Sequence, residues 1–326
     1  MTCSSIIVTF NRKIELCRCI KAVLTQTKKT DYIVVVDNAS TDHTFDYVKK
    51  ELELPFAKDS AYTIDQDNKD FELYSCSKDD VKILYIRKEQ NTGGAGGFYT
   101  GLRFSHINLM TDIYWMMDDD GYPSSECLEI LTQNVIEHDY VMPVSIDIEN
   151  HDKLSWFIKL KNGKKTDDYK TLINSWGNRL EWVVPFNGVL LTKKSIELAG
   201  YVNKDFFIWG DDYEHYYRYK KCGINPITIL NAKFFHPSQT VSSYKMFFGL
   251  IRISYTPSKL RMLCMIRNWT YIYLHYNQKC RIPIKFLMYF WFFIFTRHLD
   301  FKGFWLYILS VKDGLTNNFT RHYKYL

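Results

Sequence analysis

Short apolar runs alternate along the first half of the chain with segments in which apolar residues recur every three or four positions. Residues 31–38, 81–87 and 113–117 are apolar runs of strand length, typical of strands buried on both faces. Residues 12–24 and 124–138 show helical spacing instead. Buried strands that alternate with amphipathic helices predict an α/β fold with a mostly parallel sheet flanked by helices.

Two polar segments interrupt this alternation. Residues 57–80 are acidic and poor in aliphatic side chains, which predicts a surface insertion, and residues 148–180 are loop-like. Near the C-terminus the pattern becomes helical, in stretches near 257–277, 283–297 and 301–313. We therefore predict one domain over residues 1–243 and a helical appendage over residues 244–326.

Charge is distributed unevenly between these two parts. Residues 244–326 contain 13 Lys and Arg against two acids, a net charge of +11, whereas residues 1–243 carry −5. The same C-terminal part holds 22 of the 54 aromatic residues. Cations mixed with aromatic rings favour an anionic membrane surface as partner. No recognisable nucleic-acid module accompanies the charge, so we expect no nucleic-acid partner.

Polar residues follow several of the predicted strands. In a parallel α/β sheet, ligands bind at the carboxyl ends of the strands. Asp37, the triplet Asp118-Asp119-Asp120 and His236 all stand at such ends, and a glycine-rich segment, residues 91–98, follows another strand. One cleft could therefore collect them.

The aspartate triplet is the first candidate for chemistry. Alternate residues of an extended segment point the same way, so Asp118 and Asp120 could converge on one cation such as Mg²⁺ or Mn²⁺. A plain turn is the alternative, because Asp-Gly and Tyr-Pro follow. We favour the metal because three adjacent negative charges repel one another and a turn does not need them.

The glycine-rich segment has two interpretations. Gly93, Gly94, Gly96 and Gly97 could let the backbone approach a ligand closely, at the start of a helix that favours anions. They could equally serve a tight turn with close packing. The spacing matches neither a P-loop nor a dinucleotide-binding fingerprint.

A second acidic group, Asp211-Asp212-Tyr213-Glu214, opens a predicted helix. Carboxylates there are favoured by the helix dipole, which is one explanation. A carboxylate beside a metal-bound diphosphate could also act as a general base towards an alcohol. His236 could be a core histidine, or a third ligand for the cation.

Five motifs together resemble the inverting family 2 glycosyltransferases, and most closely the branch of galactofuranosyl- and rhamnosyltransferases that builds bacterial surface polysaccharides. They occur in order over residues 4–240. The motifs are Val8-Thr-Phe-Asn-Arg12, Val35-Val-Asp-Asn-Ala-Ser-Thr-Asp42, Asn91-Thr-Gly-Gly-Ala-Gly-Gly-Phe98, Asp118-Asp-Asp120 and Trp209-Gly-Asp-Asp-Tyr-Glu214.

The resemblance implies a GT-A fold and a nucleotide-sugar donor. By this likeness, Thr9, Arg12 and Asp37 would line the nucleoside pocket, with Asp119 and the four glycines also on the donor side. Asp118, Asp120 and His236 would hold Mn²⁺ or Mg²⁺ on the diphosphate. Asp212 would deprotonate the acceptor hydroxyl, and Trp209, Asp211 and Glu214 would position the acceptor.

The donor sugar stays open at this point. Gly210 separates Trp209 from the aspartate pair, and the aromatic pair expected before Pro185 is reduced to Trp182. UDP-galactofuranose is favoured, and dTDP-rhamnose is the alternative. A non-catalytic sugar-nucleotide-binding scaffold is the alternative from another class. A nucleotidyltransferase is disfavoured because residues 91–102 contain no Lys or Arg.

The C-terminal part bears on where the protein acts. Residues 286–296 are strongly apolar but too short to span a bilayer as a helix. We expect a peripheral protein on the cytoplasmic face of the plasma membrane that acts on a lipid-linked glycan. A packed helical subdomain or a homo-oligomer interface is the alternative for the same residues. The N-terminus shows no basic region or cleavage site of a signal peptide.

Overall fold

The computed structural model describes residues 1–62, 71–181, 186–238, 243–246 and 251–326. Trp182 and Pro185 lie outside the described residues. In the first part of the chain the elements are β1 (Cys3–Thr9), α1 (Lys13–Leu24), β2 (Tyr32–Asp37), α2 (Thr44–Glu51), β3 (Ala57–Lys58), β4 (Phe71–Lys78), β5 (Val81–Lys88), α3 (Gly93–Phe104), β6 (Ile113–Asp118), β7 (Tyr122–Pro123), α4 (Cys127–His138) and β8 (Tyr140–Asp147).

The remaining strands and α-helices run from β9 to α10. They are β9 (Lys153–Lys159), β10 (Lys165–Asp168), α5 (Tyr169–Trp176), β11 (Arg179–Leu180), β12 (Asn187–Thr192), α6 (Lys193–Ala199), α7 (Asp211–Lys221), β13 (Ile227–His236), β14 (Ser243–Met246), β15 (Ile251–Ser254), α8 (Lys259–His275), α9 (Arg281–Trp291) and α10 (Phe301–Leu315). A π-helical turn, Phe292–Thr296, continues α9.

The chain folds as two units. The sheet unit comprises Met1–Lys204 with Arg218–Gln239, and the helical unit comprises Asp205–Tyr217 with Thr240–Leu326. The helical unit thus includes a segment from within residues 1–243, the range of the predicted first domain.

The sheet unit is built on one mixed sheet, which confirms the predicted α/β class. Its main strand order is β10-β9-β8-β12-β6-β1-β2-β5-β4-β3, and β13 pairs with β7, β8 and β11. Strands β6, β1, β2 and β5 run parallel, as does β13 beside β8, and the other described strands are antiparallel to their neighbours. Every residue of β1 is buried, as a parallel strand covered on both faces requires.

Both of these polar segments contain regular structure, so the prediction that residues 148–180 are loop-like is wrong, and the predicted surface insertion at 57–80 contains strands. Phe71–Lys78 pairs antiparallel with β5 along its length, and residues 63–70 lie outside the described part. Between 148 and 180 the chain forms β9, β10, α5 and β11. These strands are only partly buried and contain many polar residues, so their sequences look like those of loops.

The helical unit has a core of its own. Aromatic and sulfur-containing side chains from α8, α9, the π-helical turn and α10 pack together, among them Met262, Met265, Tyr289, Phe292, Phe293 and Tyr307. The three predicted helical stretches therefore correspond to α8, α9 with its π-helical turn, and α10. No helix in the described ranges is long and apolar enough to cross a membrane.

Candidate active site

Register in the centre of the sheet brings three of the predicted residues to one edge. Thr9 is the partner of Asp37 across β1 and β2, and Val8 is the partner of Asp118 across β1 and β6. The carboxyl ends of these parallel strands thus carry Thr9, Asp37 and Asp118 side by side, which is where ligands bind in open α/β sheets.

Asp119 turns into the protein and is 3% exposed. Its Oδ2 accepts a 2.6 Å hydrogen bond from the Thr9 hydroxyl, and its Oδ1 lies 3.2 Å from the Arg12 guanidinium. Burial outweighs the opposing effects of Arg12 and Thr9 and raises the pKa of Asp119 to about 7. Asp119 therefore holds Thr9 and Arg12 in place.

Asp120 faces two cationic or potentially cationic groups. Its Oδ2 accepts a 2.6 Å hydrogen bond from Arg12, and its Oδ1 lies 3.3 Å from Nε2 of His236. Burial alone would raise its pKa, but His236 and Arg12 prevail and lower the pKa of Asp120 to about 2. Asp120 is thus an ionised carboxylate. Arg12, predicted in the nucleoside pocket, lies against Asp119 and Asp120 in this structure.

A short antiparallel ladder holds the triplet near His236. Tyr122 and Pro123 of β7 pair with Phe235 and Phe234 of β13, directly before His236. Gly121 allows this approach, because a Cβ there would stand 2.2 Å from Cε1 of Phe234. Sequence analysis treated Gly121 only as a turn residue, although the close passage of two backbones is a common reason for glycine.

The tautomer of His236 bears on metal binding. Nδ1 lies 2.7 Å from the carbonyl oxygen of Pro237, so Nδ1 must carry the hydrogen that it donates. Nε2, which faces Asp120, then either carries a second hydrogen, as in an imidazolium, or presents a lone pair. Oδ1 of Asp120 is buried, and among the described residues the group that faces it is Nε2 of His236, at 3.3 Å. Two facing lone pairs require a proton or a metal cation between them, so the pair fits Mn²⁺ or Mg²⁺.

Asp118 does not complete the predicted trio. Within the described ranges no group of three His, Cys, Asp or Glu side chains is arranged to hold a metal ion. The extended strand ends at Asp118, and Asp119 and Asp120 lie in a turn, so alternate residues no longer point the same way. Mg²⁺ in nucleotide sites is commonly bound through one or two carboxylates plus phosphate oxygens, and Asp120 supplies one such carboxylate.

Asp37 and its neighbour Asn38 fix the loops around the strand ends. The buried Asp37 carboxylate accepts hydrogen bonds from the Tyr85 hydroxyl at 3.0 Å and from the Ser40 backbone N–H at 2.8 Å. Asn38 donates to the carbonyl oxygen of Gly93 at 2.8 Å and accepts from the Thr92 backbone N–H at 3.0 Å. Asn38 thus ties β2 to the glycine-rich segment, a role that sequence analysis missed.

The four glycines occupy the first turns of α3, and close packing explains two of them directly. A Cβ on Gly96 would lie 2.3 Å from Oγ1 of Thr92. A Cβ on Gly97 would lie 2.5 Å from Cγ1 of Val8, so α3 can approach β1 only with glycine there. A Cβ on Gly94 would have no heavy atom within 4 Å. Gly93 has a φ of 71°, which favours glycine. Packing therefore accounts for Gly96 and Gly97, and Gly94 has open space around it.

The other predicted residues belong to the helical unit, at the start of α7. Phe207, Trp209 and Gly210 have φ angles of 66°, 69° and 83°, so the chain before α7 is unusually bent. Asn268 of α8 donates to the carbonyl oxygens of Ile208 and Trp209, at 3.0 and 2.7 Å. This support for the bent segment was missed, because no sequence signal links Asn268 to residues about 60 positions away.

The acidic residues of α7 lie in a protected environment. Burial raises the pKa of Asp211 to about 6, against the backbone N–H groups of Asp211 and Asp212. Burial and the neighbouring Asp211 raise the pKa of Asp212 well above its usual value. Glu214 is buried, and its Oε1 accepts a 2.7 Å hydrogen bond from the Tyr276 hydroxyl. A carboxylate with a raised pKa is a stronger base than an exposed one.

Comparison with known proteins identifies the family. The model of the family "Glycosyl transferase family 2" matches residues 4–197. Galactofuranosyltransferase GlfT1 of Mycolicibacterium smegmatis is 25% identical over 326 residues, 97% of each chain. The enzyme of the same name from Mycobacterium tuberculosis is 24% identical and covers 97% of this chain and 96% of its own.

Solved structures agree with the fold. The structure of GalNAc-T7 with UDP, GalNAc and Mn²⁺ has a TM-score of 0.55 at 12% identity, and the match covers 84% of this chain and 47% of that one. Staphylococcus aureus TarS 1–349 in complex with UDP has a TM-score of 0.53 at 14% identity, covering 98% and 83%. At these identities the likeness concerns the fold alone, and it confirms the predicted GT-A fold.

The resemblance read from the motifs is confirmed, both for the family and for its galactofuranosyltransferase branch. The predicted activity class, a glycosyltransferase, is confirmed with it. The match covers most of the sheet unit, including the strand ends that carry Thr9, Asp37 and the aspartate triplet. The chain therefore belongs to glycosyl transferase family 2.

Proposed function

We propose that the protein transfers a sugar from UDP-galactofuranose to a hydroxyl of a lipid-linked glycan, with inversion and with the help of Mn²⁺ or Mg²⁺, in the synthesis of a bacterial surface polysaccharide. The observation that carries the proposal is the ionised Asp120 carboxylate facing Nε2 of His236. The names of the full-length relatives support galactofuranose, and the UDP and Mn²⁺ of the GalNAc-T7 structure support the donor and the metal.

The sheet unit would bind the donor. Asp120 and His236 would hold the cation, with Asp118 at the adjacent strand end as a further carboxylate, and the cation when bound would stabilise the negative charge of the leaving diphosphate. Thr9, Asp37 and Asp119, with the α3 glycines, would form the donor pocket at the carboxyl edge of the sheet. Arg12 keeps Asp120 ionised and adds positive charge on the donor side.

The helical unit would supply the base. Asp212 would take the proton of the acceptor hydroxyl as the oxygen attacks the anomeric carbon, and the bond from that carbon to the diphosphate breaks in the same step. The buried surroundings that raise the pKa of Asp212 support this role. Trp209, Asp211 and Glu214 would position the acceptor, with the bent segment held by Asn268.

One observation counts against galactofuranose and leaves dTDP-rhamnose as the second candidate donor. Gly210 separates Trp209 from Asp211 and adopts a φ of 83° that other residues rarely adopt. This insertion differs from the motif of galactofuranosyltransferases, in which Trp directly precedes the aspartate pair. A non-catalytic scaffold is disfavoured, because it has no use for the carboxylates of Asp118, Asp120 and Asp212 together with His236.

We also propose that the protein acts at the cytoplasmic face of the plasma membrane as a peripheral protein. Outward-facing apolar side chains support this placement: along α9 and its π-helical turn, Ile284, Leu287, Trp291 and Phe295 are 57, 67, 38 and 53% exposed. These four residues, the α9 stripe, recur at helical spacing. Arg281 and Arg297 lie on the same segment and would meet anionic headgroups.

Turnover of defined donors tests the proposed reaction. The purified protein would be incubated with UDP-galactofuranose or dTDP-rhamnose, a polyprenyl-phosphate-linked saccharide and Mn²⁺ or EDTA, and ³¹P NMR would follow release of UDP or dTDP. We expect metal-dependent release of UDP. Release of dTDP alone would replace galactofuranose by rhamnose, and release of neither from folded protein would favour the scaffold.

Vesicle flotation tests the membrane proposal separately. We expect the protein to float with vesicles that contain phosphatidylglycerol and not with phosphatidylcholine vesicles. The double variant Leu287→Gln, Phe295→Gln should lose flotation, whereas the control Ile136→Gln, an exposed apolar residue of α4, should retain it. Equal flotation of both variants would contradict the assignment of the stripe.

A further inference from the structure

The helical unit contains a cavity of about 230 Å³ that the proposed reaction does not use. Its walls come from β15 and from helices α8, α9 and α10. The lining residues are Ser254, Met265, Ile266, Trp269, Thr270, Tyr273, Ile282, Lys285, Tyr289, Tyr307 and Val311.

The polar groups in these walls are largely occupied by the protein itself. The Tyr289 hydroxyl donates to the carbonyl oxygen of Ser254 at 2.7 Å, and the Thr270 hydroxyl donates to that of Ile266 at 2.7 Å. The rings of Tyr289 and Tyr307 stack with centroids 4.6 Å apart. Aliphatic and aromatic side chains contribute most of the lining, which suits a hydrocarbon chain.

Lys285 is the exception among the lining residues. It is half-buried and has no ion pair with an acidic side chain among the described residues. Burial and the neighbouring Arg281 lower the pKa of Lys285. Arg281 lies over the ring of Tyr273, 5.7 Å from its centroid, so a second cation stands beside the cavity. Among the described residues neither Lys285 nor Arg281 forms an ion pair with a carboxylate, so an anion would stabilise both cations.

We propose that this cavity binds the hydrocarbon chain of a single-chain lipid phosphate, with the phosphate paired to Lys285. Apolar walls with one cationic group match an anionic amphiphile, and the α9 stripe places exposed apolar residues on the same helix as Lys285. The inference rests on the proposed function only in taking the source of the lipid to be a polyprenyl phosphate carrier. Occupancy of the cavity is a binding event and needs no sugar transfer.

Titration with farnesyl phosphate tests the proposal. The full-length protein would be titrated below the critical micelle concentration of the probe, by calorimetry and by the fluorescence of Trp269 and the other tryptophans. We expect saturable binding of farnesyl phosphate, weaker binding of farnesol, and none of inorganic phosphate. Lys285→Met should weaken farnesyl phosphate binding at least about 10-fold, the loss of one charge-assisted contact. Lys285→Arg should retain the binding.

Control variants separate the headgroup from the cavity. Val311→Phe, which fills the cavity, should abolish binding of both farnesyl phosphate and farnesol, whereas Lys259→Met, at the exposed start of α8, should leave binding unchanged. Wild-type affinity in Lys285→Met or in Val311→Phe would overturn the proposal.

Two further measurements identify the source of the lipid phosphate and distinguish failure of this proposal from failure of the proposed function. Tighter binding of farnesyl phosphate than of lysophosphatidic acid would support a polyprenyl carrier, and the reverse order would overturn that source. UDP would be titrated into the same samples with Mn²⁺. If UDP binds and farnesyl phosphate does not, this inference fails and the proposed function stands.

Discussion

Nε2 of His236 lies 3.3 Å from Oδ1 of Asp120, while Nδ1 of the same ring donates to the carbonyl oxygen of Pro237. This orientation leaves only Nε2 for a shared proton or a cation. Since the two residues are 116 positions apart in the sequence, their meeting depends on the pairing of β7 with β13.

Replacing His236 should impair metal binding. We expect His236→Asn to weaken binding of the Mn²⁺–UDP complex at least about 10-fold, because the cation loses one side of its site. Binding of Mn²⁺ in the presence of UDP would be followed by electron paramagnetic resonance. His43→Asn is the matched control, since His43 is exposed and has a φ of 62° that Asn tolerates. Unchanged Mn²⁺ binding in His236→Asn would remove the histidine from the metal site.

Two glycines of α3 should respond differently to alanine. Gly97→Ala should lower the free energy of unfolding by about 1–3 kcal/mol, because the new Cβ meets Val8 at 2.5 Å. Gly94→Ala should leave it unchanged or raise it by about 0.5–1 kcal/mol, since the Cβ has open space in a helix. Urea denaturation measures both. A loss of UDP affinity in a stable Gly94→Ala variant would indicate that the ligand approaches the backbone closely at this turn. Equal stability losses would contradict the packing argument.

Asp212→Asn should remove most transfer while leaving Mn²⁺–UDP binding close to wild type. A general base contributes about 10²–10⁴-fold to the rate, so a loss of that size is expected in kcat. Burial raises the pKa of Asp212, so wild-type kcat should rise with pH through a value above that of an ordinary aspartate, because only the ionised carboxylate accepts a proton. Normal turnover by Asp212→Asn would show that another group takes the proton.

His322 should make stability depend on pH. Its Nδ1 accepts a 3.0 Å hydrogen bond from the buried Arg267 guanidinium, and burial with this cation lowers the pKa of His322 from 6.5 to about 4. Between about pH 4 and pH 6.5, His322 is therefore protonated in the unfolded chain and neutral in the folded chain. The associated stability is present above about pH 6.5 and is lost as pH falls towards 4, by up to about 3 kcal/mol.

The glutamine variant tests this assignment. His322→Gln can still accept a hydrogen bond from Arg267 but cannot be protonated. Urea denaturation at pH 5 and pH 7.5 should show a smaller loss of stability on acidification in His322→Gln than in the wild type. An equal loss in both proteins would show that His322 does not govern the acid sensitivity.

Much of the sheet could be predicted because its central strands are buried on both faces. A strand such as β2, with five consecutive buried residues, is recognisable without any partner. Strands β4 and β9 were missed, because each buries only part of its surface and alternates with polar residues. Their strand character depends on neighbours that the local sequence does not specify.

The site was predictable in its residue types and less so in its arrangement. The position of Asp120 at a strand end followed from the apolar run before it. That Arg12 would pair with this carboxylate depends on a turn whose path Gly121 permits. The role of Asn268 has no local sequence signal. Its side chain donates hydrogen bonds to the carbonyl groups of Ile208 and Trp209, where the chain is bent.

Calorimetric titration of the purified protein with UDP, dTDP, GDP and CMP, each with and without Mn²⁺, tests whether the protein has a metal-assisted site for a nucleoside diphosphate. We expect that UDP binds best, that Mn²⁺ strengthens its binding, and that Asp120→Asn removes this effect of Mn²⁺. Equal UDP affinity with and without Mn²⁺, or no binding of any nucleotide by folded protein, would contradict the presence of such a site.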